Sequence, residues 1–319
     1  MKKQILTVAS IASIAFAGLA FAAPANALAC GTPALFVNGT SVLAQASDWK
    51  LWVHGADGAL LETVDMTGAG QGYGDIALSA DGKTLYGVQN DSADDNVIDL
   101  VDPSTGAITG TLTITGSAAG IGKWVGAAVR PDGKLIIGSN DDSRVFEVDT
   151  ATGASTLFFD LSTLPNGAQG ASTTGDFATL PNGDEIALAT EDNGVTSDFY
   201  MVRIDSAGNG IEVGTVAEAW GAGRVGDDIQ LAQADGIISK IAIADIPTVQ
   251  GVAPLTLTTV VDTGFPGGLY GAAGTQDSGT QTCAALPNTG VNGVGLGALA
   301  AGLGLAGAAG LVIARRKRA

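Results

Sequence analysis

Through the middle of this chain the apolar positions come in short runs, broken by Gly, Asp, Asn and Thr at the roughly 8–12-residue spacing of all-β domains. Long helical periodicity is missing there. Three stretches can be set one above the other. Gly74-Asp75-Ile76-Ala77-Leu78 passes through Asp81-Gly82 into Thr84-Leu85-Tyr86-Gly87-Val88. Gly126-Ala127-Ala128-Val129 passes through Asp132-Gly133 into Leu135-Ile136-Ile137-Gly138. Gly175-Asp176-Phe177-Ala178 passes through Asn182-Gly183 into Glu185-Ile186-Ala187-Leu188. Each reads as strand, turn, strand. The Asp-Gly and Asn-Gly pairs predict type I′ turns, in which both central residues need positive φ. A second hairpin follows in each unit: 97–102 turns at Ser104-Thr105-Gly106 into 107–114, 144–149 at Ala151-Thr152-Gly153 into 154–159, and 199–205 at Ser206-Ala207-Gly208 into 210–216.

Four antiparallel strands recurring with a period of about 45–50 residues predict a β-propeller, whose radial repetition leaves only short, protected edges. The N-terminal segment fits the scheme, with strands at 34–37, 42–45, 50–54 and 60–64 turning at Asn38-Gly39 and Asp57-Gly58. A fifth copy over 229–261 is degraded, and 267–282 offers one more hairpin. The expectation is therefore one all-β domain, 28–283, of five or six four-stranded blades. These repeats resemble the YVTN/surface-layer-type propellers, whose blades read roughly V-x-V-I-D-x-x-T-G and then G-I-A-V-S-P-D-G-K-x-L-Y-V; the match is best over 74–216. The competing architecture, tandem β-sandwich modules, does not predict the repeated Asp-Gly hairpins.

Both ends of the chain carry targeting patterns. Lys2 and Lys3 precede an apolar run over 5–23 and the small-residue site Ala25-Asn26-Ala27, the three regions of a secretory signal peptide, 1–27. Ala29 is a second choice of cleavage point. At the other end stand Leu286-Pro287-Asn288-Thr289-Gly290, an apolar stretch over 291–314 and the basic tail Arg315-Arg316-Lys317-Arg318. Residues 284–319 resemble the LPxTG sorting signal of Gram-positive surface proteins. The resemblance implies that a sortase cuts between Thr289 and Gly290 and joins the Thr289 carboxyl to an amine of peptidoglycan. It also implies that 291–314 halts in the membrane with 315–319 on the cytoplasmic side. An ordinary C-terminal membrane helix is the other reading of that stretch, since about 20 apolar residues span a bilayer. The expected address is the cell wall, facing outward.

Removing both ends takes away six basic residues and no acidic ones, so the formal charge moves from −17 to −23. Such a surface argues against nucleic acid and against anionic lipid or teichoic acid as partners, because like charges repel. It is compatible with divalent cations, basic proteins and neutral sugars. The two cysteines, Cys30 and Cys283, bracket the domain and predict one disulfide joining its ends. Closing so long a loop would stabilise by up to about 5 kcal/mol in the chain-entropy model.

Chain direction sorts the loops. If the first strand of each blade runs from face A to face B, the 1–2 and 3–4 turns lie on B, and the 2–3 turns and blade crossings on A. Face A then collects Asp48, Asn90, Asp91, Asp94, Asp95, Asn140, Asp141, Asp142, Glu191 and Asp192 in its turns. Its crossings carry Tyr73, Lys123, Trp124, Trp220, Arg224, Phe265 and Tyr270. Tyr73, Trp124 and Trp220 are candidate stacking platforms, with Asp94, Asp141 and Asp192 as polar or cation contacts for an unidentified extracellular ligand. The plainer reading makes the acids turn formers and the aromatics packing between blades. Ca²⁺ could draw oxygens from Asp91, Asp94 and Asp95 or from Asp141 and Asp142, but their spacing is not an EF-hand's. No cofactor is expected. Asp75, Asp176 and Asp227 recur near inner strands, where capping of loop N–H groups is the expected role. His54 is the only histidine, in a predicted strand, so neither a Ser-His-Asp triad nor a zinc site is expected. The sequence points to a monomeric binding or adhesion module, with a Ca²⁺-dependent hydrolase of the lactonase or glycosidase kind, or a structural wall protein, as alternatives.

Overall fold

A computed structural model describes residues 32–40, 49–66, 72–90, 96–164, 172–192, 197–265 and 268–279. Its architecture is a five-bladed β-propeller. The first three strands, β1 (Ala34–Thr40), β2 (Trp49–Gly55) and β3 (Leu60–Asp65), form blade I with the last strand of the chain, β21 (Leu269–Gly274), on their inner side. Blade II holds β4 (Asp75–Leu78), β5 (Leu85–Val88), β6 (Val97–Val101) and β7 (Ile108–Thr113). Blade III adds a two-residue outer strand, β8 (Thr115–Gly116), to β9 (Trp124–Val129), β10 (Leu135–Ser139), β11 (Arg144–Val148) and β12 (Ala154–Asp160). Blade IV is β13 (Ser172–Thr179), β14 (Glu185–Asp192), β15 (Ser197–Ile204) and β16 (Gly210–Thr215), and blade V is β17 (Ala219–Val225), β18 (Asp228–Gln233), β19 (Ile237–Ala242) and β20 (Thr258–Asp262).

Burial falls from axis to rim, as the sequence pattern requires. All of β9 and β10 are buried, whereas β3 and β7 at the outer edge bury little beyond Val64 and Leu112. The core fills the wedges between blades: Trp124 and Phe146 of blade III pack with Val88 and Ile98 of blade II, and Phe177 of blade IV packs with Ile136 and Val145 of blade III.

The count of five settles where the extra hairpin at 267–282 goes. Its described residues, 268–279, hold a single strand, β21, which completes blade I. Ala34 N donates to Thr275 Oγ1 at 3.0 Å, and Thr275 N donates back to the Ala34 carbonyl at 2.9 Å, so the two ends of the ring meet as expected. Cys30 and Cys283 themselves, the signal peptide and the sorting segment 284–319 lie outside the described residues. Among the described residues no helix is long and apolar enough to cross a membrane.

Three local expectations are corrected. Asn38-Gly39 is no turn: both sit in β1, where Asn38 Nδ2 donates to the Tyr73 carbonyl at 2.9 Å and Gly39 lets the chain pass against Gly268. The Asp-Gly hairpins are not type I′ either. Gly58, Gly82, Gly133 and Gly183 take positive φ, but among the described residues only Lys123 does so without being glycine. The preceding Asp or Asn keeps negative φ and acts through its side chain: Asp81 Oδ1 accepts from Lys83 N, Asp132 Oδ1 from Lys134 N, and Asn182 Oδ1 from Asp184 N. Such Asx geometry is the other way these residues make turns. Blade V reads as degraded because its third and fourth strands are joined by a long excursion, 243–257, which returns to β16 through Gly251 N to the Glu212 carbonyl at 2.9 Å and Leu255 N to the Thr215 carbonyl at 2.9 Å.

At the axis the inner strands touch. Gly74, Gly126, Gly175, Gly221 and Gly271 occupy matching places, and a Cβ on any of them would run into the inner strand of the next blade. Asp75 and Asp176 follow two of these glycines and close the centre. Asp75 accepts from Ile76 N (2.7 Å), Ala127 N (2.7 Å) and Ala272 N (3.1 Å). Asp176 accepts from Phe177 N (2.6 Å), Ala222 N (2.9 Å) and Ala272 N (3.2 Å). The two carboxyls also hydrogen-bond to each other, and burial first, then their mutual proximity at Asp176, pushes both well above the usual carboxylate range. The third acid of this kind is Asp277, whose carboxylate accepts from Arg224 N and Gly274 N, both at 2.7 Å. Asp227 lies instead at the outer turn between β17 and β18, where its carbonyl accepts from Ile243 N.

Candidate ligand-binding site

Above the axial carboxyls, on face A, lies a central cavity of about 350 Å³ to which all five blades contribute. Its lining is Tyr270 from blade I, Gly74 and Asn90 from II, Val125 and Asn140 from III, Thr190 and Phe199 from IV, and Glu218 and Trp220 from V. The topology explains this. Each inner strand starts on face A, so the residues just before the axial glycines, Trp220 before Gly221 and Tyr270 before Gly271, are carried to the mouth of the centre. Asn90 and Asn140 follow the second strands of blades II and III, which end on the same face.

The aromatic residues form a continuous surface. The Trp220 and Tyr270 rings stack at 5.7 Å with planes 30° apart, and Trp49 tilts against the outer side of Tyr270 at 5.2 Å. Trp220, Tyr270 and Phe199 are half-buried. Opposite them, Asn140 Nδ2 approaches Asn90 Oδ1 at 3.4 Å. Thr190 is 8% exposed, and its buried hydroxyl oxygen has no hydrogen-bond partner among the described residues. Glu218, exposed, is the only charged residue in the lining among the described residues.

Of the residues singled out from sequence, Trp220 reaches this cavity. Trp124 does not: it is fully buried, edge-on to Phe146 at 6.2 Å. It precedes its axial glycine by two residues rather than one, and that single step turns it into the blade II–III wedge. Tyr73 has the right spacing but lies before β4 and swings outward over Gly87, with its hydroxyl donating to Asp99 at 3.0 Å. Both correct the reading as stacking platforms. Arg224, expected in a face A crossing, stands at the far end of β17 on face B. Asp141 pairs with Lys123 at 2.5 Å on the rim, and Asp142 with Arg144 at 2.6 Å, so these two of the five candidate calcium ligands are paired with cations of the chain, while Asp91 and Asp95 lie outside the described residues. Asp94 lies outside the described residues, as does the side chain of Asp192. No group of three His, Cys, Asp or Glu suited to a metal occurs among the described residues. Phe199, Thr190 and Glu218 went unnoticed. The aromatic-Gly pairs Trp220-Gly221 and Tyr270-Gly271 were the sequence signal for the site.

Face B is chemically different. Arg130 bridges Glu147 (2.8 Å) and the fully buried Glu185 (3.2 Å, without hydrogen-bond alignment), and Lys134 also reaches Glu147. Burial outweighs Arg130 and pushes the Glu185 carboxyl up to about 8, and burial likewise raises Asp277 to about 7. His54, inside blade I, is buried with a ring nitrogen 3.1 Å from the Gly58 carbonyl, and burial lowers its pKa.

Fold and cavity together define a five-bladed propeller with a closed axis and a shallow aromatic–amide site on one face. No protein-family model matches the sequence, and no curated protein matches it. Among solved structures it is similar to TolB from Acinetobacter baumannii at 13% identity and a TM-score of 0.47, over 76% of this chain and 66% of that one. Regucalcin, a calcium-binding protein from Agrobacterium tumefaciens, is similar at 16% identity and a TM-score of 0.42, over 63% of each chain. Virginiamycin B lyase from Staphylococcus aureus is similar at 14% identity and a TM-score of 0.39, over 72% of this chain and 69% of that one. The propeller assignment rests on this chain's own strand order.

Proposed function

We propose that this is a secreted, sortase-anchored wall protein whose propeller holds a ligand in the face A cavity. The observation that carries the reading is the opposition of anchor and cavity. β21 runs from face A to face B, and β1 enters from face B, so both ends of the domain leave on the side away from Trp220 and Tyr270. Only six residues, 280–285, separate Gly279 from Leu286, so the tether is short. Attached at Thr289, the propeller would sit close to the wall with face B inward and its cavity toward the medium. A fixed short tether suits capture of small, diffusing ligands better than long-reach adhesion.

The test is fractionation of a Gram-positive host expressing the full chain. The protein is expected in the fraction released by a muramidase. Removing Leu286-Pro287-Asn288-Thr289-Gly290 should shift it to the membrane and the medium; recovery from the wall regardless of the motif would defeat the anchoring part of the proposal. A glycosidase reading finds less support, since such enzymes use two carboxyl groups about 5–9.5 Å apart. Among the described lining residues Glu218 is the sole carboxylate.

A further inference from the structure

We infer that the ligand of this cavity is a neutral, ring-shaped polyol, one or two sugar residues in size; this rests on the binding reading above and narrows it. The cavity is amphipathic around its circumference. Phe199, Trp220 and Tyr270 make an apolar wall over blades IV, V and I, and Asn90 and Asn140 make an amide wall over blades II and III. A sugar ring has the same two characters: C–H groups on its face, and hydroxyls around its edge that both donate and accept. Amide side chains match such hydroxyls, since each carries two N–H donors and a carbonyl acceptor. Both amide side chains stand on exposed turn residues, open to the cavity.

Two other ligand classes fit worse. An anion would meet Glu218 and a chain of net charge −17, and no Lys or Arg lines the cavity to receive it. A quaternary ammonium asks for aromatic faces on several sides. Here Trp220 and Tyr270 stack on each other and present one surface, while the other half of the wall is amide. The volume, about 350 Å³, lies near the lower end of the roughly 300–1,000 Å³ of small-molecule sites. That size favours a short sugar, or the end of a longer one, over a buried polymer.

The experiment is ligand-observed NMR on the full-length chain in detergent, with Trp fluorescence as a second readout. The probes are glucose, galactose, N-acetylglucosamine and their disaccharides, choline, and glucuronic acid. A saturable neutral sugar is expected, weakened about tenfold by Trp220→Ala through loss of the stacking surface. Asn140→Ala, on an exposed turn, should weaken it severalfold with the fold untouched, and guards against Trp220→Ala acting through misfolding. Binding of choline or glucuronic acid alone, lost in Trp220→Ala, would overturn the sugar assignment and leave the cavity as a binding site. Silence from all probes, with Trp fluorescence unmoved, would overturn both the sugar and the binding reading. Sugar binding insensitive to both substitutions would place the site elsewhere and overturn the inference.

Discussion

The two faces of this propeller are built from the same residue types and use them in opposite ways. On face B, Asp and Asn are consumed by their own turns. Asp102 Oδ1 accepts from Ser104 N at 2.8 Å, Asp149 Oδ1 from Thr152 N at 2.8 Å, and Asp205 Oδ1 from Asn209 N at 2.8 Å. Arg130, Lys134 and Arg203 there are matched to carboxylates, Arg203 to Asp184 at 2.7 Å. On face A, the central Asn90 and Asn140 are exposed and meet only each other, at 3.4 Å, among the side-chain bonds of the described residues, and the aromatic rings beside them stay half-buried. Abundance of acidic turn residues is therefore no guide to a site. What distinguishes face A is polar groups left over after the local backbone has been satisfied, placed beside aromatic surface that packing has not covered.

Between the faces lies the sealed axis, and it offers the sharpest way to break the comparison. Gly271 faces Asp75, with no room for a Cβ between them. Gly271→Val should cost about 4 kcal/mol or more, the range of severe overpacking and backbone displacement. Urea denaturation should show loss of cooperative folding, since blade I and blade II could no longer close. A normal transition would mean that the ring tolerates an opened centre and that the two faces communicate.

Asp75→Asn is gentler. It keeps the shape but exchanges one acceptor oxygen for a donor, stranding at least one of the N–H groups of Ile76, Ala127 and Ala272. About 1–3 kcal/mol of destabilisation is expected, the cost of an unsatisfied buried group. Sugar binding on face A should survive if the axis is only a seal.

The charged interior also sets a pH dependence. Glu185 at about 8 and Asp277 at about 7 are raised by burial above the values of exposed carboxyls, and the Asp75–Asp176 pair shifts the same way. The folded protein therefore binds more protons than the unfolded chain between about pH 4 and pH 8, and stability falls as pH rises through that window. Turn acids such as Asp81 and Asp142 are lowered, so their contribution is lost below about pH 4. The Tm should peak in mildly acidic solution and drop several degrees by pH 8, at about 2–4 °C per kcal/mol for a domain of this size. Glu185→Gln should flatten the alkaline limb. A Tm rising steadily to pH 8 would show that these carboxyls are ionised and paired in the native state.

Much of this fold was legible in the chain because turn chemistry is local. Asp81-Gly82, Asp132-Gly133 and Asn182-Gly183 marked three hairpins at their true places even though the turn type was misjudged, since glycine at positive φ serves both geometries. Asn38-Gly39 misled because the same dipeptide also suits a close strand approach, and only the neighbouring Gly268 reveals which is meant. Blade I was recognised at the N-terminus but not its inner strand, which lies more than two hundred residues away: Leu35 pairs with Gly274. The site was half legible. Trp220, Tyr270, Asn90 and Asn140 were on the expected face, but Trp124 and Tyr73 were claimed by the wedges between blades. A one-residue offset at Trp124 and an outward swing at Tyr73 decided burial, and no composition argument resolves steps that small.

The finest comparison sets a face B turn against the face A rim. Asp102→Ala removes the acceptor for Ser104 N and Ser104 Oγ, and a Tm drop of about 2–3 °C is expected from the loss of this turn cap. Asp141→Asn breaks only the pair with Lys123, whose two side chains are 38% and 51% exposed. Exposed pairs contribute about 0–1 kcal/mol and are screened by salt, so the Tm should move by no more than about 1 °C. Asp141 is also absent from the cavity lining, so sugar affinity should stay unchanged. A tenfold loss of affinity in Asp141→Asn would extend the site outward to the Lys123 rim, because no backbone or packing role of Asp141 could account for it.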